Sequence, residues 1–179
     1  MIITIAGLPG SGKSTISRYL EKKFGLKRYN IGDLRRKLAL ERGMTIDQLN
    51  KLGEREPWTD KDIDDFQKKV GKTEDNFVID GRLSWFFIPN SIKLFLTVDL
   101  KVGAERIFRA KRKSEIKYNK VEDVLKEINE RVAGDKKRYN ELYGVDPYKI
   151  DHYDIIIDTS NLSEEETCQI VERAVRSFE

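Results

Sequence analysis

Apolar and polar positions along this chain alternate between two rhythms. Short, continuous apolar runs occupy 2–6, 77–80, 92–98 and 154–157. Runs of this length are expected for strands covered on both faces. A further short strand is expected over 28–31. Between these runs the apolar residues recur at helical spacing. Ile16, Tyr19, Leu20 and Phe24 stand at i, i+3, i+4 and i+8, and Gly25 stops the pattern. Gly32-Asp33 turns into a helix carrying Leu34 and Leu38, closed by Gly43. Thr45 and Gln48 read as a capping box for the next helix. Another helix starts near Thr59, with Ile63, Phe66 and Val70 along one face. Helices are expected at 101–112 and at 120–142, the second carrying Val121, Val124, Leu125, Ile128, Val132 and Tyr139. Ser163 and Glu166 cap the last helix. Strands separated by helices predict an α/β fold, with a parallel sheet and helices on both faces.

One connection in this series carries chemistry. Between the first strand and the first helix lies Gly7-Leu8-Pro9-Gly10-Ser11-Gly12-Lys13-Ser14, followed by Thr15. It fits the G-x-x-x-x-G-K-[ST] pattern of a P-loop, in the strand–turn–helix context that motif requires. Glycines let the backbone curl so that N–H groups converge on an anion. The helix start adds unsatisfied donors and positive dipole. Lys13 supplies a cation for the outer phosphates of ATP, and Ser14 a hydroxyl for Mg²⁺. The motif names a nucleoside triphosphate and leaves the fate of its phosphate open.

Asp80 ends a buried apolar strand, where a carboxylate needs a reason to sit. In P-loop enzymes that position serves Mg²⁺. Gly81 permits close approach of backbone and ligand, and Arg82 offers a planar fork suited to phosphate. Gly32-Asp33-Leu34-Arg35-Arg36 is a second, weaker anion candidate. Two basic clusters follow: Arg106, Arg109, Lys111, Arg112 and Lys113, then Arg131, Lys136, Lys137 and Arg138. They read either as solvated helix faces or as a lid closing over phosphates. The lone His152 reads as a surface or turn residue, and the aromatic residues as core. A guanine-specific switch would need N-K-x-D, and Asn119-Lys120-Val121-Glu122 does not supply it.

Composition narrows the setting. The 34 basic residues nearly balance 31 acidic ones, so the net charge of +3 argues against a general nucleic-acid binder. A single cysteine, Cys168, can form no internal disulfide, fits a reducing cytoplasm and reads as a small core residue. No apolar run reaches membrane-spanning length. The N-terminal strand runs straight into the P-loop, so a cleaved leader is not expected. The 179 residues suit one domain, and a monomer is expected.

Taken together these motifs resemble the nucleoside monophosphate kinases, and most closely the archaeal-type cytidylate kinases. The family's D-P-x-x-D-x-x-x-D-x-x-Q stretch is similar to Glu56-Pro57-Trp58-Thr59-Asp60 continuing to Asp64 and Gln67. Its E-R-I resembles Glu105-Arg106-Ile107. Its R-x-x-x-x-x-x-R-Y and Y-G-[IV]-D resemble Arg131, Arg138-Tyr139 and Tyr143-Gly144-Val145-Asp146. Its Y-D-x-[IV]-I-x-T-S matches Tyr153 through Ser160. The resemblance implies a five-stranded P-loop kinase domain, with an acceptor-binding region near 32–72 and a lid near 109–120. It implies MgATP-dependent phosphorylation of CMP, and of dCMP. Gly7 through Thr15 and Arg106 would bind ATP. Asp33, Arg36, Asp64, Gln67, Asp80, Gly81 and Arg82 would bind the acceptor. Ser14 and Asp80 would serve the metal, and Lys13, Arg109, Arg131 and Arg138 the transfer itself. Another acceptor (AMP, UMP or a non-nucleotide) and a slow nucleotide-hydrolysing switch are the other readings. Three departures stand out. Asp65 and Phe66 replace two basic positions of the family. Val132 replaces an acidic residue, and Gly134 interrupts the helix there. Trp85-Phe86-Phe87 is bulkier than the pattern.

Overall fold

A computed structural model describes residues 1–53, 55–56, 58–110 and 118–178. Its centre is a fully parallel five-stranded sheet. The strands are β1 (Ile2–Gly7), β2 (Lys27–Asn30), β3 (Phe77–Asp80), β4 (Ile92–Thr97) and β5 (Ile155–Asp158), in the order β2-β3-β1-β4-β5. β1 pairs with β3 from Ile2↔Phe77 to Ile5↔Asp80, and with β4 from Ile3↔Ile92 to Gly7↔Leu96. This register puts the end of β1 beside Asp80. The loop after Gly7 therefore opens over the carboxyl edge of the sheet, between β3 and β4.

The helices are α1 (Lys13–Phe24), α2 (Ile31–Glu41), α3 (Ile46–Gly53), α4 (Trp58–Thr73), α5 (Ser84–Phe87), α6 (Leu100–Arg109), α7 (Val121–Tyr143) and α8 (Glu164–Arg176). One core packs α1 and α8 on the sheet through Ile16, Leu20, Val171 and Val175 against Ile3, Ile5, Leu94 and Leu96. Each fully buried Ile or Leu here contributes roughly 1.5–3 kcal/mol of burial. Cys168 is buried in this core, as its sequence setting implies. On other flanks Val70 packs with Phe77, Ile79 and Ile88, and Trp85 with Phe95, Tyr139 and Tyr153.

Several boundaries differ from the pattern, each for a local reason. β2 ends at Asn30, whose side chain accepts from Asp33 N and caps α2, so the helix begins at Ile31 ahead of Gly32. The buried positions of α2 are Arg35 and Ala39, with Leu34 and Leu38 only half-buried. α4 begins at Trp58, so Thr59 and Asp60 are buried in its first turn. The capping boxes at Thr45/Gln48 and Ser163/Glu166 form as expected. α7 runs unbroken through Gly134, which therefore does not interrupt it. The short α5 and a 3₁₀ turn, Ile150–His152, were not marked by any periodicity. The two elements meet where His152 stacks on Trp85, with ring centroids 4.4 Å apart.

Candidate active site

The donor side of the site is made of backbone. The P-loop leaves β1 and enters α1 with Gly12 as N-cap, in a left-handed conformation that suits glycine. Gly10 is held against α6: a Cβ there would lie 2.4 Å from the Gly103 carbonyl oxygen. Only hydrogen fits, so the loop and α6 pack backbone to backbone. Lys13 Nζ donates to Leu8 O at 2.8 Å, which folds the lysine over the loop.

Ser14 and Asp80, distant in sequence, meet at the cleft wall. Ser14 Oγ donates to Asp80 Oδ2 at 3.2 Å. Asp80 is 6% exposed, and burial pushes its carboxyl above the ordinary range against the opposing pull of Lys13 and Ser14. A hydroxyl and a carboxylate oxygen at this separation are hard donors suited to Mg²⁺, with water and phosphate oxygens completing its shell. Among the described residues there is no cluster of three or more acidic, His or Cys side chains that would cage a metal alone. The donor set therefore fits a metal that arrives with a phosphate ligand.

The facing side of the cleft, where the sequence leads one to expect the acceptor, is made of side chains. It shares one cleft of about 760 Å³ with the P-loop, lined by Asp33, Arg35, Arg36, Asp64, Gln67, Gly81, Arg82 and Arg131 among others. Gly81 lies so close to α5 that a Cβ would meet Ser84 Oγ at 2.3 Å. Arg82 reaches across to α7, with Nε 2.5 Å from Asp135 Oδ2 and 3.1 Å from Tyr148 Oη. Burial works against its charge, but Asp135 prevails and holds its pKa above the ordinary value. Both of these contacts fall on Nε. Arg36 Nη1 donates to Asp33 Oδ1 at 2.9 Å at the cleft edge. Gln67 is held by Ser84 Oγ, which donates to its Oε1 at 2.7 Å, and its Nε2 lies 3.4 Å from Asp64 Oδ1. Tyr143 donates to the other Asp64 oxygen. Burial raises the Asp64 carboxyl to about 6, against the pull of the Tyr143 hydrogen bond.

A family model described as the cytidylate kinase-like family matches residues 2–161. The chain belongs to that family. It is 37% identical to the cytidylate kinase of Methanopyrus kandleri, over 98% of this chain and 93% of that protein. It is 39% identical to the cytidylate kinase of Pyrococcus abyssi, again over 98% and 93% of the two chains. Among solved structures, shikimate kinase from Bacteroides thetaiotaomicron matches with a TM-score of 0.68 over 98% of both chains. At 15% identity that likeness is one of fold.

Within this member of the cytidylate kinase-like family, the basic residues singled out by sequence separate into distinct settings. Arg36, Arg82 and Arg131 line the cleft. Arg138 does not; it is 3% exposed, with Nη2 donating to Asp135 Oδ1 at 3.2 Å and Nε 3.7 Å from Asp60 Oδ2. Its guanidinium lies between Asp60 and Asp135. Arg109 is largely exposed and pairs with Glu105 one turn away. Arg106 donates through both Nη groups to Thr159 and through Nη2 to Leu162 O, fastening the loop after β5. Thr159 Oγ1 in turn contacts Ser11 O at 3.3 Å, so this loop braces the P-loop. Lys111, Arg112 and Lys113, and with them most of the expected lid, lie outside the described residues.

Two residues at the heart of the site received no role from the sequence: Arg35, named only within the weaker anion candidate, and Asp135, not singled out at all. Arg35, not only Arg36, lines the cleft; it is 6% exposed, with Nη1 donating to Asp60 Oδ1 at 2.7 Å and Nε to Asn50 Oδ1 at 2.8 Å. Asp135, 4% exposed, gathers Arg82, Arg138 and Tyr148. The available signal was spacing. Arg131, Asp135 and Arg138 continue the same helical stripe as Val124 and Ile128, so a buried face turns from apolar to charged midway along α7.

Proposed function

We propose that this chain transfers the terminal phosphoryl group of MgATP to the phosphate of CMP, and of dCMP, giving ADP and the nucleoside diphosphate. The observation that carries this reading is that Arg82 and the P-loop line one cleft. A triphosphate on the loop and an anionic acceptor on the arginines would meet there. The relatives' printed name supplies the base.

The acceptor phosphate is already an anionic nucleophile, so no general base is required. One of its oxygens bonds to the γ-phosphorus as the bond to the β–γ bridging oxygen breaks, and ADP leaves. Catalysis is then positioning and charge stabilisation. Lys13 follows the transferring phosphoryl group. Arg82, with Arg36, grips the acceptor phosphate, and Arg131 faces the charge that develops between the two substrates. Ser14 and Asp80 would hold Mg²⁺, which when bound neutralises phosphate charge. Asp64 and Gln67, fixed by Tyr143 and Ser84, offer hydrogen bonds to the acceptor base and sugar. Arg106 keeps the β5–α8 loop against the P-loop. We take residues 1–179 as one kinase domain, with the acceptor region near 32–72 and the lid near 109–120, working as a cytoplasmic monomer.

The test is ADP release from MgATP with and without CMP. Transfer should exceed acceptor-independent hydrolysis by orders of magnitude, with CDP formed in step with ADP. Hydrolysis of the same rate in both samples would mark a switch rather than a kinase.

A further inference from the structure

We infer that Asp135 is a positioning residue for phosphoryl transfer: from the middle of α7 it aims the Arg82 fork at the acceptor phosphate. This rests on the reading of Arg82 as the acceptor-phosphate ligand. Three observations carry it. First, the contact falls on Nε. Arg82 lines the cleft that the P-loop also lines, so an anchor at Nε holds a guanidinium that borders the ligand space. Here Asp135 Oδ2 and Tyr148 Oη both sit on Nε, at 2.5 and 3.1 Å.

Second, Asp135 is itself fixed from every side. Tyr148 Oη donates to Oδ2 at 2.8 Å and Arg138 Nη2 to Oδ1 at 3.2 Å. Burial opposes its charge, yet Arg82, Arg138 and Arg131 together hold its carboxyl below the ordinary range. The charged form is thus the favoured one, and both carboxylate oxygens already carry a hydrogen bond. Third, removal would do more than delete one bond. Arg82 and Arg138 would then share no carboxylate, and Asp60 would be the remaining ion-pair partner of Arg138. Arg82, tethered only by Tyr148, would be pushed off its line. A misplacement of this size at a reacting centre costs rate as well as affinity.

The carboxylate acts through another side chain, so its signature is non-additivity. Asp135→Asn keeps the shape and removes the charge. It should raise the CMP KM about tenfold and lower kcat, with the ATP KM within about twofold of normal. In an Arg82→Ala background the same substitution should change the CMP parameters by less than about twofold, because the residue it aims is gone. Tyr148→Phe, a milder change that leaves the ion pair, should show a smaller loss that the Arg82→Ala background also absorbs. It carries the test if Asp135→Asn does not fold. Losses that multiply in the double variants would overturn the inference while leaving the acceptor-site reading intact. A lowered melting temperature with an unchanged CMP KM would do the same. An Arg82→Ala variant with a normal CMP KM would remove both.

Discussion

The two halves of the cleft are built from different material. The donor half is backbone: a glycine loop whose conformation is set by its own eight residues and by one close contact with α6. The acceptor half is side chains: Arg35, Asp60, Arg138, Asp135 and Arg82 joined in a chain of charges across α2, α4, α7 and the loop after β3. A backbone site tolerates change in its surroundings because its donors are fixed by local geometry. A side-chain site depends on every link, since a buried charge that loses its partner is left costly and misplaced. On the proposed reading, specificity for the acceptor rests on the less local half.

The largest effect expected from this contrast is on the donor side. Lys13→Met should lower turnover by about a thousandfold, the scale of losing one preorganised charge from a phosphoryl-transfer site. Its melting temperature should stay near that of the parent, because the side chain touches the loop and not the core. A variant with most of its turnover intact would separate Lys13 from the reacting phosphate.

Next in size is Arg82. Loss of a charge-assisted bidentate contact costs roughly 1.5–3 kcal/mol, or about one to two decades in acceptor affinity. Arg82→Ala should raise the CMP KM by that factor and leave the ATP KM nearly unchanged, and Arg82→Lys should recover only part of the loss. Equal damage to both substrates, with a lower melting temperature, would make Arg82 a structural brace.

The smallest effect is a pH dependence. Asp64 binds its proton more tightly when folded, with a pKa of about 6, because burial outweighs the Tyr143 hydrogen bond. A raised carboxyl pKa means that stability falls as pH rises from the ordinary carboxylate value, about 4, to about 6, and then levels off. Asp64→Asn should lack that decline. Relative to the variant, the parent should therefore lose on the order of five to ten degrees of melting temperature between pH 4 and 7. A constant difference across that range would show that the site leaves Asp64 unperturbed.

The same contrast explains what was legible in the amino-acid order. Strand runs, caps and the P-loop are local, so β1, α1, the capping boxes at Thr45 and Ser163, and the pairing of Ser14 with the strand-end Asp80 could be foreseen. Where charges are buried, helical periodicity of apolar residues loses its meaning. Arg35 takes a core position of α2, and Asp135 and Arg138 take core positions of α7, so a hydrophobic reading gives the first no role beyond a weak anion candidate, passes over the second, and sets the third among residues of a solvated face or a phosphate-closing lid. Asp80 was found because a carboxylate at the end of an apolar strand is conspicuous. Asp135 stands among charged neighbours and is conspicuous only once α7 is packed against Arg82.

The account stands most directly on which acceptor receives the phosphoryl group. Initial rates of ADP formation from MgATP should be measured against CMP, dCMP, UMP, AMP and shikimate at matched concentrations. CMP and dCMP should give the highest kcat/KM, with the other acceptors at least about tenfold lower. Turnover confined to AMP or shikimate, or ADP release that no acceptor accelerates, would contradict the assignment.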